Sequence, residues 1–316
     1  MYRILITGAT GSIGSRLIEY FLLKNIFYII ATTRSNYVKS FNENLEYVVI
    51  NEESTFDYSI VCNKVDFIIH LAATNAKVSL DDPINAFNVN CISTGKLFKA
   101  AIESKASKFI YFSTAQVYGN PNGLVDENST LGGTNPYATS HRAAEDLIKS
   151  FQDTSNLQTI ILRLSNSFGL TSSKNNENLV IHDLAKQAVF EGTLTIKSEL
   201  NSTRNFITLT DVCESIMHLL FLKFDSKIET FNLGGEKSFT LYQIALIIRD
   251  RAKLKLNSDI DIVYNKNTFD ISSKTSFNYS IDKIHNLKLK LNSNFDEEID
   301  ILLNHYQNLK INESKI

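Results

Sequence analysis

Glycines at positions 8, 11 and 14 follow an apolar run, Arg3 to Thr7, and lead into a helix-forming stretch, Ser15 to Lys24. This spacing suits one kind of chemistry. It gives a tight turn, a close backbone approach to a pyrophosphate, close packing of helix on strand, and a helix N-terminus whose amides point at phosphate. Gly8, Thr10, Gly11, Ser12, Ile13 and Gly14 therefore form a candidate cofactor-binding loop. About 20 residues past the glycines, where a fold selecting NAD places an acid for the adenosine ribose hydroxyls, the chain reads Ala31-Thr-Thr-Arg-Ser35. The acid is missing and Arg34 is present, which favours a 2'-phosphate and hence NADP over NAD; the competing reading is that Arg34 points into solvent. Further on, Ser113-Thr-Ala-Gln-Val-Tyr-Gly119 puts hydroxyls beside the expected nicotinamide position, and Tyr137 and His141, four apart, share one helix face.

The elements that must hold these groups alternate between strand and helix. Phe27–Thr32 and Leu45–Ile50 are β-branched and aromatic runs suited to buried strands. Val65–Ala73 is nearly continuous in apolar residues, as a parallel strand covered on both faces should be. It ends at Leu71, Ala72 and Ala73, where the small residues leave room for a cofactor at the carboxyl edge of the sheet. His70 within it reads as a packed strand residue. Asp82-Pro83 opens a helix that carries Asn90 and continues through Leu97, Phe98 and Ala101. Lys108–Ser113 is a further buried strand, Pro121–Asn135 a polar loop of a length that marks function or a lid, and Pro136 opens a helix through Ala144, Leu147, Ile148 and Phe151. Thr159–Leu164 is the next strand. The alternation predicts a Rossmann-type doubly wound parallel sheet with right-handed crossovers.

Beyond Ser165 the pattern changes: a polar stretch from Thr171 to Asn178, a helix over Leu179–Glu191, then Leu194–Ile196, in an Asn-, Ser- and Lys-rich context. The expected division is a dinucleotide-binding domain over 1–165 and a smaller, mainly substrate-binding lobe over 166–316. Returns to the sheet are expected at Arg204–Leu209 and Thr230–Leu233, with helices at Leu241–Ala252 and Glu297–Asn308.

With 316 residues, 43% apolar and 21% charged, the chain can bury a sizeable core, and its formal charge of -2 gives no electrostatic reason for a nucleic-acid or anionic-membrane partner. Cys62, Cys91 and Cys213 are far apart and lack nearby His pairs, so neither a disulfide framework nor a metal site is expected. No charged-then-apolar leader and no apolar run of about 18 to 20 residues is present, which reads as a cytoplasmic protein.

Several stretches in order resemble the extended short-chain dehydrogenase/reductase family, in its NAD-dependent epimerase/dehydratase branch that works on nucleotide-sugars. They are Thr7 to Gly14, His70-Leu-Ala-Ala73, Asn90, Ser113 to Gly119, Pro136-Tyr-Ala-Thr-Ser140, Arg163 to Gly169, Arg204 to Asp211 and Phe231-Asn-Leu-Gly-Gly235. The resemblance implies that Tyr137 is the acid/base exchanging a proton with a sugar hydroxyl or carbonyl. It makes Thr114 the assisting hydroxyl on the substrate oxygen, and Asn166 and Arg204 contacts to the nucleotide-sugar. Leu71, Ala72, Ala73 and Asn90 join the cofactor site, and the helices carrying Asn90 and Tyr137 pair across a two-fold axis in a homodimer.

The chain departs from the pattern at one central position. Four residues after the tyrosine the family has a lysine that holds the nicotinamide ribose and favours the tyrosinate; here it is His141. A tyrosine near pKa 10 is a poor base at neutral pH without a fixed cation. Three readings stay open: a reductase, for which neutral Tyr137 is already the required donor; an enzyme using protonated His141 or another cation; and a cofactor-binding sensor or scaffold that has lost most catalysis. The dehydratase subgroup carries Asp-Glu after its threonine, where this chain has Ala115-Gln116, so a 4,6-dehydratase is disfavoured. The resulting expectation is a nucleotide-sugar oxidoreductase, foremost a keto-sugar reductase in surface polysaccharide biosynthesis, with a C4 epimerase as the alternative.

Overall fold

A computed structural model describes residues 1–34, 40, 42–53, 55–151, 156–173, 179–196, 200, 202–264, 277–291 and 294–313. Ser35 and the polar stretch expected beyond residue 173 lie outside the described residues.

The chain forms two compact units, the first made of Met1–Pro121, Glu127–Leu164 and Ile216–Leu233. Its elements are β1 (Tyr2–Thr7), α1 (Ser12–Lys24), β2 (Phe27–Thr33), β3 (Leu45–Val49), α2 (Ser59–Cys62), β4 (Phe67–His70), α3 (Ala76–Asp81), α4 (Pro83–Phe87), a π-helix (Asn88–Ser93), α5 (Thr94–Ser104) and β5 (Lys108–Thr114). Between the last of these and the end of the unit come a 3-10 turn (Ala115–Tyr118), α6 (Pro136–Ser150), β7 (Gln158–Leu164) and β11 (Ile228–Leu233). The second unit holds β6 (Gly123–Val125), β8 (Asn166–Phe168), α7 (Val180–Phe190), β9 (Thr193–Ile196), β10 (Thr203–Thr208), β12 (Ser238–Thr240), α9 (Leu241–Leu256), β13 (Asp261–Tyr264), β14 (Phe277–Tyr279), α10 (Asp282–His285) and α11 (Phe295–Glu313), while α8 (Leu209–Phe221) belongs partly to each.

Among the described residues of the first unit, seven parallel strands lie in the order β11-β7-β5-β4-β1-β2-β3. The order reverses direction between β1 and β4, so a switch point opens at their carboxyl ends, where open α/β sheets bind ligands. Register brings those ends to one edge: Thr7 pairs with His70, His70 with Tyr111, and Thr114 with Leu164. The central strands β4 and β5 are buried throughout, which explains their apolar runs. Leu97, Phe98 and Ala101 on α5 face the core beside Phe109 and Ile148, and the Cβ that Gly95 lacks would lie 2.4 Å from Leu147 Cδ2 on α6. That missing carbon lets the two helices close up.

Three expectations need correction. Helix α1 begins at Ser12 rather than Ser15, because Gly11 adopts extended backbone (φ -75°, ψ 172°) and serves as N-cap. The return at Arg204–Leu209 does not enter the central sheet; β10 lies between β8 and β12 in a separate three-stranded sheet, and only β11 returns to the large one. The loop over 121–135 contains β6, which pairs in parallel with β14. Residues 122–126 thus fall in the second unit and 216–233 in the first, which a single cut at 165 does not capture. Helix α8 and strands β13 and β14 were not anticipated, although α8 carries buried residues at helical spacing, Leu209, Val212, Cys213, Ile216, Leu219 and Leu220. In the second unit α7, α9 and α11 share a core with Leu184, Ile244, Ile248, Ile299 and Leu302.

Candidate active site

Gly8 sits at φ +67°, a conformation that L side chains rarely adopt, and a Cβ there would stand 2.7 Å from Ala72 N and from the Leu71 carbonyl carbon. The glycine loop therefore lies directly on the segment leaving β4. At Gly14 a Cβ would come within 2.4 Å of the Gly8 carbonyl oxygen, so α1 packs against the turn at backbone distance. Thr7 Oγ1 accepts from the amides of Leu71 and Ala72, both at 3.2 Å, and fixes that exit. Its hydroxyl hydrogen is then available to His70 Nδ1, 2.6 Å away, which leaves His70 Nε2–H to donate to Thr94 Oγ1 at 2.8 Å. His70 is a packed strand residue whose pKa burial pushes down to about 3.

The second half of the site comes from β5 and α6. Asn135 caps α6, its side chain accepting from Ala138 N at 2.9 Å with Pro136 in the first turn, and this sets Tyr137 at the helix start. Thr114 ends β5; its hydroxyl accepts from Gln116 N at 3.2 Å and hydrogen-bonds the Tyr137 phenol. Burial raises the pKa of Tyr137 and the Thr114 bond only partly offsets this, so the phenol keeps its proton at neutral pH. One turn on, His141 packs edge-on against the Tyr137 ring with centroids 4.6 Å apart. Its Nδ1 lies 2.7 Å from Tyr111 Oη, and its Nε2 is buried with no hydrogen-bond partner among the described residues. Burial holds its pKa down at about 4 despite the opposing pull of Glu145, so the imidazole is neutral at pH 7. A protonated His141 standing in for the lysine charge is not what this environment favours.

Glu145, absent from the motifs above, completes the framework together with its partners Ser113 and Arg163. Glu145, one more turn along α6, is fully buried; its carboxylate accepts from Ser113 Oγ at 2.5 Å and pairs with Arg163 Nη2 at 2.7 Å and Nε at 3.1 Å. Arg163 Nη1 also donates to Tyr118 Oη at 2.8 Å, and Tyr118 donates to Asn232 Oδ1 at 2.7 Å. Tyr111 and Ser113 alternate on one face of β5 and meet His141 and Glu145 on one face of α6. A period of two on a strand matched by a period of four on a helix could have found Glu145.

Asn90, expected at the cofactor, spends its side chain on the protein. Its Oδ1 accepts from Thr74 N at 2.8 Å and its Nδ2 donates to Ser140 Oγ at 3.0 Å, so it ties the segment after β4 to α6. It stands in a π-helical turn, Asn88–Ser93, a geometry found mostly at functional sites. Arg34 is exposed at the end of β2, within electrostatic reach of Glu53 in the segment after β3.

In the second unit Asn166 and Arg204 lie on neighbouring strands, with Asn166 in register with Phe206. Asn166 is exposed, and its Nδ2 donates to the Asn205 carbonyl at 2.9 Å. Arg204 is half-buried, burial lowers its pKa, and it forms no salt bridge among the described residues. A guanidinium so placed suits a phosphate ligand. Asn205, also missed, clasps Gly235 with two hydrogen bonds of 2.8 Å. Cys62, Cys91 and Cys213 are buried and form no disulfide. Among the described residues no group of His, Cys, Asp and Glu could hold a metal, and no helix is long and apolar enough to cross a membrane.

Residues 4–234 match the profile of the NAD dependent epimerase/dehydratase family. The chain is 28% identical over 316 residues to dTDP-D-glucose 4,6-dehydratase of Homo sapiens, covering 90% of this chain and 84% of that one. It is 27% identical to an uncharacterised UDP-glucose epimerase of Bacillus subtilis, over 78% of this chain and 81% of the relative. Among solved structures, UDP-glucuronic acid 4-epimerase from Bacillus cereus, in complex with UDP-glucuronic acid and NAD, superposes with a TM-score of 0.81 at 21% identity, covering 97% and 99% of the two chains. UDP-N-acetylglucosamine 4-epimerase from Methanobrevibacter ruminantium M1 gives 0.82 at 22% identity, covering 98% and 99%. The residues present fit a dinucleotide: Gly8 and Gly14 leave a backbone cradle that a Cβ would fill, at the N-terminus of a thirteen-residue helix, and His141 offers an unpartnered polar atom beside Tyr137.

Proposed function

The chain belongs to the NAD-dependent epimerase/dehydratase family, of the extended short-chain dehydrogenase/reductase type, and we propose that within it the protein is a nucleotide-sugar oxidoreductase working foremost as a keto-sugar reductase. The observation that carries this reading is the setting of Tyr137. Its phenol is hydrogen-bonded by Thr114, raised in pKa by burial, and flanked by a neutral imidazole where the family pattern has a cation. Such a group is a ready proton donor and a poor base, and reduction asks only for the donor.

The nicotinamide of a dinucleotide held at the Gly8–Gly14 turn would supply the hydride. The protein does the rest: Thr114 and Tyr137 hold the substrate carbonyl oxygen by two hydrogen bonds that strengthen as negative charge develops on it. The Tyr137 Oη proton passes to that oxygen, and the phenol regains a proton from solvent. Arg204 and Asn166 are assigned to the nucleotide-diphosphate side of the substrate. Ala115 and Gln116 follow Thr114 without a carboxyl group, so expulsion of a hydroxyl as in the dehydratase relatives has no acid at these two positions. A C4 epimerase is the second reading, supported by the solved epimerases of the same fold and by the retained Tyr137 and Thr114.

NAD is the cofactor class of the family; a preference for NADP rests on Arg34 alone, and Glu53 nearby offsets part of its charge. A homodimer is supported by exposed apolar side chains along α3, α4 and the π-helix, among them Leu80 (60%), Ile84 (75%) and Ile92 (46%). A cytoplasmic place in surface polysaccharide synthesis is the setting this reading implies.

The test is to supply a nucleotide-linked keto-hexose with NADH or NADPH and follow oxidation of the nicotinamide. Reductase activity is expected, with Tyr137→Phe slowing it by roughly 10²- to 10⁴-fold while dinucleotide binding persists. Isomerised nucleotide-sugar without net consumption of reductant would make the protein an epimerase. If Arg34→Ala leaves the choice between NADPH and NADH unchanged, the NADP preference fails.

A further inference from the structure

Tyr111 and His141 face one another across β5 and α6, and their hydrogen bond settles a question of proton placement. A phenol has one hydrogen to donate, and the one partner found for Tyr111 Oη is His141 Nδ1, at 2.7 Å. Were Nδ1 to carry the ring proton, it would donate to the phenol oxygen and the buried phenol hydrogen would have no acceptor, which a buried site penalises. Tyr111 therefore donates to Nδ1, and the single proton of the neutral ring sits on Nε2. Nε2 lies on the opposite edge of the imidazole from Tyr111, in the ring that packs on Tyr137, and is a buried donor without an acceptor in the protein.

We propose that Tyr111 is a positioning residue that locks His141 as a neutral Nε2–H donor, and that this donor serves a ribose hydroxyl of the bound dinucleotide. The inference rests on the family's dinucleotide chemistry and on the assignment of Tyr137. The unit supplies a directed hydrogen bond with no charge, so it can orient the cofactor without drawing the proton off Tyr137. The other groups facing the imidazole are in keeping. His70 on β4 is neutral, stacked on Tyr111 with centroids 5.8 Å apart, and Glu145 is already paired with Arg163 and Ser113. Neither competes for Nε2–H.

The experiment uses the intact protein and long-range proton–nitrogen NMR of its six histidines, with and without NADH, beside calorimetric titration of NADH. In the native protein the histidine whose signals are missing in His141→Leu should be an Nε2–H tautomer that does not titrate near neutral pH. Its Nε2 resonance should move on adding NADH. Tyr111→Phe should release the tautomer lock and weaken NADH binding roughly 2- to 10-fold, the loss expected for one hydrogen bond. His141→Gln, whose amide N–H can replace the donor, should bind NADH more tightly than His141→Leu.

An Nδ1–H tautomer, titration near pH 7, an Nε2 signal indifferent to NADH, or unchanged affinity in both Tyr111→Phe and His141→Leu would each overturn the proposal. None of these readouts needs a substrate. Absence of keto-sugar reduction with a locked, NADH-sensitive Nε2–H would sink the reductase reading alone.

Discussion

Glu145→Gln is the substitution that most directly tests whether the site's framework is held by a buried ion pair. The native carboxylate is fully buried and receives Arg163 at 2.7, 3.1 and 3.3 Å, Ser113 at 2.5 Å and, at its edge, Lys149 at 3.4 Å. The glutamine keeps the shape and removes the charge. Arg163, buried beside Tyr118 and the Glu127 carbonyl, then loses the carboxylate charge it pairs with and meets a neutral amide oxygen in its place. Leaving one partner of a buried pair uncompensated costs about 3–5 kcal/mol, a large share of the 5–15 kcal/mol typical of a folded domain.

Urea unfolding followed by circular dichroism reads that cost as a drop in midpoint at constant slope. The pair also fixes the sign of a pH effect. Arg163 and Ser113 hold the Glu145 carboxyl below its ordinary value despite burial. Its contribution is therefore complete above about pH 4.3, the unfolded glutamate value, and is lost as pH falls through the lower folded value. The native protein should lose stability below about pH 4.3 more steeply than Glu145→Gln. A cost under about 1 kcal/mol with parallel acid profiles would refute the idea that this pair carries structural weight, since exposed pairs are worth that little.

Two further substitutions separate the binding elements. Gly8→Ala places a Cβ 2.7 Å from the backbone of Ala72 at φ +67°; a left-handed L-residue alone costs about 1–2 kcal/mol. A lowered melting temperature and loss of NADH binding by calorimetry are expected, and native-like binding would show that the glycine turn is not the phosphate cradle. Arg204→Gln should weaken nucleoside-diphosphate binding about 10- to 100-fold, the range for a charge-assisted hydrogen bond, while NADH affinity stays constant. Equal loss of both ligands would place Arg204 outside the substrate side.

The parallel sheet was legible in the sequence because its central strands are buried on both faces, so their apolar runs are unbroken and end in glycine, alanine or hydroxyl residues. Glycine spacing singled out Gly8, while the expected roles of Thr114 and Tyr137 came from the family resemblance. What escaped was set by long-range pairing. Strand β10 was expected to return to the large sheet, yet hydrogen-bonds to β8 and β12, and its polar first half, Thr203-Arg-Asn205, sets it apart from the apolar central strands. Asn90 was legible as a motif residue, but its partners Thr74 and Ser140, 16 and 50 residues away, were not. The neutral state of His141 was likewise out of reach. It depends on burial beside Tyr111 and His70, which the residue type alone does not encode.

That neutral state separates the reductase reading from its rivals, and His141→Lys tests it. An ammonium about 6 Å from the Tyr137 oxygen, at an effective dielectric near 20, is worth about 3 kcal/mol and lowers the phenol's pKa by about 2. Reduction needs the phenol protonated, so its rate should begin to fall at a pH about 2 lower in the variant than in the native protein. Oxidation of a sugar alcohol needs the phenolate, so it should gain rate at neutral pH by up to about 100-fold over the same change. The native protein would then lie at the reducing end of a trade-off that one residue controls. If the variant's alkaline limit for reduction does not move and oxidation does not rise, the charge at position 141 does not govern Tyr137, and the preference for reduction must have another origin.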